Sequence, residues 1–510
     1  MGSIDSTFWN KKNLIYFFIT CVFFTLSLIG ILHHELWLDE SHHWLLARDS
    51  TSIIDLIDNT KYEGHPILWN MLLFFISKFS LNPFWMQLLH IIISSILVLV
   101  FLTKSPFTLL FKVLFIFGYF IFFEYTLLSR NYNLGILFLF LALSIYRYRK
   151  EKILLFSILL AIASNTHAIF VIITTCIMFI VCLEYIKKTK PYISTKMIFG
   201  VSIFAIGILL AIIQIIPPSD TSFFERAEDF SLFQKVTRSF ITFFKGIFTI
   251  PDFRTIHFWN SHFIVNISKP LSSVLGILSI FFPLFIFYKN KMTLLYVYLG
   301  ILGTSLFFFI TQLSAPRYFG LNFLFIITGL WMENDYPLKK NIFNSWFSLL
   351  THKKIKNILI YSILIIQMFS GIVSYSFDLL LPFSSSKQTV EFLQESKLTD
   401  KIVITQWCEG TPLSSYLETP LFFTNTNSFQ SYCTWNRGNS TISNSKTELV
   451  NSLENIINNA GQSAIFISIA AIPIEEYKAI SNNLKYKFLK SFTKNIVSKE
   501  SYYIYEISKI

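Results

Sequence analysis

Apolar runs long enough to cross about 30 Å of hydrocarbon, which takes about 20 helical residues, recur from Asn13 to about Phe377. The first, Leu14 to Leu32, follows Lys11 and Lys12 and lacks a small-x-small cleavage site. It reads as a retained span with its N-terminus inside. Further apolar segments are expected at Pro66 to Phe79, Phe84 to Thr103, Phe107 to Leu128, Leu134 to Tyr146, Ile153 to Ala163, Ala168 to Ile186 and Ile198 to Ile216. Four more follow at Leu271 to Tyr288, Met292 to Thr311, Tyr318 to Met332 and Ile358 to about Phe377. The pattern predicts an α-helical multi-span membrane protein with about eleven or twelve apolar segments.

Three stretches break this rhythm. His33 to His65 is polar, with an amphipathic pattern through Trp44, Leu45, Ile53, Ile54 and Ile57 that predicts a helix lying on the membrane surface. Pro217 to Lys269 reads as a long polar, aromatic loop. From Pro382 the pattern becomes a helix (Ser386 to Leu393), short β-rich runs (Ile402 to Trp407, Ala464 to Ile469), a helix (Ile474 to Ile480) and two closing strands (Tyr486 to Phe492, Tyr502 to Ile507). The division expected is a membrane module, 1–380, with outer loops 33–65 and 217–269, and a small extracytoplasmic α/β domain, 381–510.

Charge sets the orientation. Arg147 to Lys152, Lys187 to Lys196, Lys289 with Lys291, and Lys339 to Lys356 alternate with non-basic loops, and placing them inside puts Asn165 to His167, the Pro217 loop, Arg317 and the C-terminal domain outside. Upstream the parity closes only if one segment fails to cross. Of the two segments between His65 and Lys104, Pro66 to Phe79, at about 14 residues and about 21 Å, is the one expected not to cross. The net charge of +12 is spread over these clusters rather than over one basic face, which argues against a nucleic-acid partner. With 14% charged residues, against roughly 25% in soluble domains, a soluble protein is excluded.

Ionisable groups at span ends carry the chemistry, because a charge near the helix centre costs roughly 2.5 to 3.5 kcal/mol on insertion. Asp39, Glu40, His42, His43, Glu63, His65, Glu124, Arg130, His167 and Arg317 all fall on the outer side. Asp39 and Glu40 fit either a proton-accepting carboxylate or helix-capping acids. His65, before Pro66, fits a phosphate or hydroxyl contact, or an ordinary helix start. Arg130 and Arg317, beside Tyr132 and Tyr318, fit phosphate clamps or snorkelling anchors. His167 in its short turn fits a substrate contact or a satisfied interfacial residue. In the 217–269 loop, Arg226, Lys235, Arg238, Lys245 and Arg254 suit anionic headgroups or a lipid phosphate.

His33, His34, His42 and His43 show no metal-ligand spacing and there is no nucleotide-binding loop, so no cofactor is assigned; a divalent cation stays open. Cys408 and Cys433 can pair if their domain lies in an oxidising compartment.

In order along the chain, Trp37-Leu38-Asp39-Glu40, His65-Pro66-Ile67-Leu68-Trp69, Ser129-Arg130-Asn131-Tyr132, Asn165-Thr166-His167 and Pro316-Arg317-Tyr318 resemble the short signatures of the GT-C membrane glycosyltransferases. The likeness is to ArnT-like aminoarabinose transferases and protein O-mannosyltransferases. It extends over about Lys11 to Phe377, and Ile67, Trp69 and Asn131 depart from the pattern.

The resemblance implies an inverting enzyme of the cytoplasmic membrane with an outer-side active site. Its donor would be a polyprenyl-phosphate-linked sugar and its acceptor a glycan, lipid or protein. Asp39 and Glu40 would be catalytic, and His65, Arg130, Tyr132, His167, Arg317 and Tyr318 would contact substrate or phosphate. The alternatives are an O-antigen polymerase or ligase, whose chemistry would sit in arginine-rich loops, and a glycan transporter or flippase. A transporter would show an internal repeat, and none is visible.

Overall fold

The computed structural model describes residues 11–188, 194–222, 230–313, 315–336, 353–437 and 445–510. Arg226, the segment 189–193 within the Lys187 to Lys196 cluster, and most of Lys339 to Lys356 lie outside the described residues.

Among the described residues seven helices are long and apolar enough to cross a membrane: Lys11–His33, Phe84–Lys104, Ala168–Lys187, Thr195–Ile215, Lys269–Phe287, Lys291–Thr311 and Lys354–Leu380. A bent pair, Leu109–Ile116 and a π-wound segment, Tyr119–Leu127, meeting at 40°, is together long and apolar enough for a broken span or a re-entrant loop. Shorter apolar helices, Tyr132–Ser144 and Ile153–Ser164, complete a multi-pass membrane protein together with Pro316–Glu333.

Thr195–Ile215 shows why lipid is the solvent. It buries Gly200, Phe204, Gly207 and Ala211 and exposes Ile198, Phe199, Ile206, Leu209, Leu210 and Ile213. Three small residues on the packed face and large apolar ones outside invert the order found in water. A Cβ on Gly207 would come within 2.5 Å of Ala161 Cβ, so close helix packing requires glycine there.

Two expectations need correction. The stretch 33–65 is not one surface helix. Leu38–Asp49 is buried in protein over nine of its residues, Trp44 and Leu45 included, and only the second helix, Ile53–Thr60, exposes Ile53, Ile54 and Ile57. The stretch 217–269 is not all loop. Ser231 and Gln234 form a capping box that starts the helix Leu232–Ile247, whose Gly246 packs on the Phe319 carbonyl. The segment after His65 folds as Leu68–Ser77, ten residues or about 15 Å, too short to cross alone.

From Ser386 the chain forms a mixed six-stranded sheet in the order β3-β2-β1-β4-β6-β5. Its strands are β1 Val403–Thr405, β2 Leu421–Phe423, β3 Ser428–Gln430, β4 Ala464–Ser468, β5 Leu484–Phe492 and β6 Tyr502–Lys509. The helix Lys446–Ala460 and strands β2 and β3 are additions to the elements expected from the sequence. Cys408 and Cys433 are joined by a disulfide. This domain docks on the connection that follows the first span: Tyr416 Oη accepts from the Leu36 N–H at 2.7 Å, and Glu500 Oε1 accepts from the Leu38 N–H at 2.8 Å.

Candidate active site

The site grows from three chain breaks. The first span ends at His33, and after a four-residue connection the helix Leu38–Asp49 carries Asp39 in its first turn. The π-wound segment ends at Leu127, and the short turn before Tyr132–Ser144 presents Arg130. Pro316 opens the helix that carries Arg317, at a position where its missing N–H leaves nothing unpaired.

Asp39 Oδ2 is held by both arginines, by Arg130 Nη1 and by Arg317 Nη2 at 3.2 Å. Its side chain is 23% exposed, and neither arginine bonds Oδ1. Burial alone would raise this carboxyl, but the two guanidinium groups outweigh burial and hold it down at about 2. Aromatic rings wall the cations. Arg317 lies 4.9 Å from the Trp37 and Tyr318 rings and 5.7 Å from Trp259, and Arg130 lies 5.9 Å from Trp37 and Tyr132.

Glu40 is turned away from this exposed edge and is wholly buried. Its Oε2 accepts from His34 Nε2 at 3.0 Å and the Trp37 N–H at 3.3 Å, and its Oε1 accepts from the Ser129 N–H at 2.5 Å. Glu40 thus ties the helix bearing Asp39 to the turn bearing Arg130. His34 Nδ1 reaches Asp378 on the last span at 2.8 Å. Burial would lower the His34 imidazole, but Asp378 and Glu40 push it up to about 10, so it sits as a cation between two carboxylates.

On the other side stands a column of rings. His43 and His65 lie 6.4 Å apart, His65 and His167 4.5 Å, His167 and Tyr132 4.9 Å, and His167 and Tyr318 5.8 Å. Burial, reinforced by the arginine charge, lowers His65 to about 3 and puts His43 and His167 well below the usual range. All three are neutral. Asn131 Nδ2 donates to the Thr166 carbonyl at 2.6 Å, which fastens the Arg130 turn to the His167 turn.

The eight site residues expected from the sequence, Asp39, Glu40, His65, Arg130, Tyr132, His167, Arg317 and Tyr318, therefore form one connected cluster. Several buried atoms in it have no hydrogen-bond partner among the described residues: Arg130 Nε, Arg317 Nε, His65 Nδ1, His167 Nε2 and Tyr132 Oη. Of the loop cations, Arg254 is committed to Asp252 at 2.7 Å and Arg238 lies over Phe230 at 4.2 Å. Among the described residues no three His, Cys, Asp or Glu side chains form a metal-binding group.

Partners not assigned to the site from the sequence complete it. Trp37 and Trp259 pack at 4.6 Å, and Glu124 Oε2 accepts from Tyr119 Oη at 2.8 Å and Trp259 Nε1 at 3.1 Å. His90 places its ring nitrogens 3.1 and 2.8 Å from the carbonyls of Thr126 and Arg130. A lone histidine inside an apolar run was the available signal for His90.

No family model and no curated protein sequence matches this chain. A solved structure, ArnT from Cupriavidus metallidurans in the apo state, is similar over 97% of both chains, with a TM-score of 0.51 at 12% identity. The chain has an ArnT-like GT-C fold.

Proposed function

We propose that this protein is an inverting glycosyltransferase that takes a sugar from a polyprenyl-phosphate carrier and passes it to an extracytoplasmic glycan, lipid or protein. The observation that carries the reading is Asp39, one carboxylate held by two arginines at the mouth of a GT-C fold with one oxygen left unbound by them.

The donor's phosphodiester would meet both guanidinium groups, whose Nε atoms lack partners, through charge-assisted hydrogen bonds. Its negative charge would offset the field that keeps Asp39 so weakly basic. The acceptor hydroxyl then attacks the anomeric carbon opposite the phosphate, and its proton passes to Asp39 Oδ1. The carbon–oxygen bond to phosphate breaks, and polyprenyl phosphate leaves with the electron pair, its charge met by Arg130 and Arg317. Glu40 acts by positioning both partners.

Two features support an outer-side site. The Cys408–Cys433 disulfide belongs to an oxidising compartment. Basic residues such as Arg149 gather at the opposite span ends, where Arg149 meets Glu184 at 2.6 Å. The test is transfer from a purified polyprenyl-phosphate-linked sugar to envelope acceptors, with loss in Asp39→Asn. Unchanged turnover in that variant would sink the reading.

A further inference from the structure

The chain from Lys485 to Lys499, most of strand β5 and the loop that leads to β6, carries five lysines and no acidic residue. The fold engages few of them. Lys487 reaches Glu506 at 3.8 Å, and Lys490 lies 4.9 Å over the Phe392 and Phe492 rings. Lys490, Lys494 and Lys499 are exposed and pair with no carboxylate among the described residues. The adjoining helix Ser386–Glu395 offers the exposed Glu391 and Glu395, with Lys387 one turn before Glu391. Six lysines thus stand against two exposed acids over this strand, loop and helix, and the surface keeps a positive excess.

Only the fold brings this run to the bilayer, since it lies far from the last span along the chain. Ile496 and Val497 donate their N–H groups to the carbonyls of Pro382 and Phe383 at 3.0 and 2.9 Å, and Ser385 donates to the Glu500 carbonyl at 3.2 Å. The loop is thereby laid along the linker that leaves the last span at Leu380. Strand β5 ends there too, because its Phe492 pairs with Tyr502, two residues from Glu500. Leu380 is 82% exposed, so the lipid-facing surface of the span runs up to the level of these lysines.

We propose that Lys490, Lys494 and Lys499 form a docking surface for the anionic headgroups of phospholipids in the leaflet where the last span ends. The inference goes beyond the glycosyltransferase reading and stands without it. Each lysine near an anionic membrane surface contributes about fivefold in affinity, and the attraction fades over about 10 Å at 0.1 M salt. Lysine stems suit this depth, because their methylene groups lie along apolar surface while the ammonium stays among the headgroups. A soluble polyanion would leave Leu380 and the half-buried Phe392 and Phe492 rings uncovered, whereas a lipid covers them with its glycerol and acyl groups. Docking here holds the end of the sheet domain that carries Glu500, whose carboxyl accepts from the Leu38 N–H beside Asp39.

The test uses the full-length protein in nanodiscs of phosphatidylcholine, with and without phosphatidylglycerol, and follows amide hydrogen exchange from Lys485 to Lys499. Phosphatidylglycerol is expected to slow exchange there about fivefold or more, which one engaged lysine supplies. The slowing is expected to vanish when Lys490, Lys494 and Lys499 are all changed to Gln, to persist when all three are changed to Arg, and to fade at high salt. Equal exchange in the two kinds of disc, or slowing that survives the triple Gln variant, overturns the proposal. Inorganic phosphate added to pure phosphatidylcholine discs separates the sources, and protection by it equal to that from phosphatidylglycerol would mark a soluble-anion site and overturn the lipid assignment.

Discussion

Asp39 and Arg317 stand 278 positions apart in the chain and share a hydrogen bond of 3.2 Å. One opens a buried helix after the first span, and the other opens a late span after Pro316. Both therefore sit at helix starts on one side of the bundle, where their charges meet without crossing hydrocarbon. Arg130, at the third break, closes the group.

Replacing Asp39 by Asn keeps the shape and a carbonyl oxygen for an arginine but removes the proton acceptor. The turnover number is expected to fall about 10²- to 10⁴-fold, the range for loss of a positioned base. The protein should still elute as the wild type does in size-exclusion chromatography. Transfer from a purified lipid-linked sugar measures the first effect.

Arg317→Lys keeps the charge and loses the planar fork. Affinity for undecaprenyl phosphate is expected to drop roughly tenfold to hundredfold, because lysine cannot offer paired donors to one phosphate. Competition binding reports it directly, and an unchanged constant would remove Arg317 from the phosphate site.

Glu40→Ala leaves the Ser129 and Trp37 N–H groups and the His34 imidazolium short of a buried partner. Removing one member of such a group is expected to cost about 3 to 5 kcal/mol. Thermal unfolding in detergent should show a large drop, with Glu40→Gln milder because its carbonyl still accepts.

Glu500 links the sheet domain to the start of the Asp39 helix through the Leu38 N–H. Burial raises its carboxyl from 4.5 to about 8. The folded state then holds this proton more tightly than the unfolded one, so its favourable contribution is full below about pH 4.5 and is lost as pH rises through about 8. Hydrogen-exchange protection at residues 36–40, corrected for the intrinsic base-catalysed rate, should fall over that window in the wild type, and Glu500→Gln should flatten the dependence.

The Cys408–Cys433 disulfide closes a loop of 25 positions. Opening it by Cys433→Ser is expected to cost roughly 3 kcal/mol, mainly by freeing the unfolded chain. Limited proteolysis between β1 and the helix Lys446–Ala460 gives the readout, with reductant on the wild type as the parallel arm.

Much of this site was legible because the bilayer makes charge expensive. Asp39, Arg130 and Arg317 stood out as ionisable groups at the ends of apolar runs, and His65 and His167 as imidazoles in short breaks between them. The apolar period placed the spans, and the Cys408–Cys433 pairing was available as a conditional reading.

Other features depended on which helix faces meet. Glu40 looked like a twin of Asp39, yet it points inward to His34 and Ser129, since neighbours on a helix face about 100° apart. The burial of Leu38–Asp49 was equally hidden, because its Trp44 and Leu45 fit a membrane surface as well as a protein interior.

The sequence by itself determined that this chain lives in a bilayer and which costly side chains it keeps at one rim, since both follow from the local price of desolvation. Only the tertiary structure decided that one carboxylate lies between two arginines and that a backbone N–H holds His167 in its neutral form. Those contacts join residues from distant breaks, and their geometry comes from helix packing rather than from any local pattern.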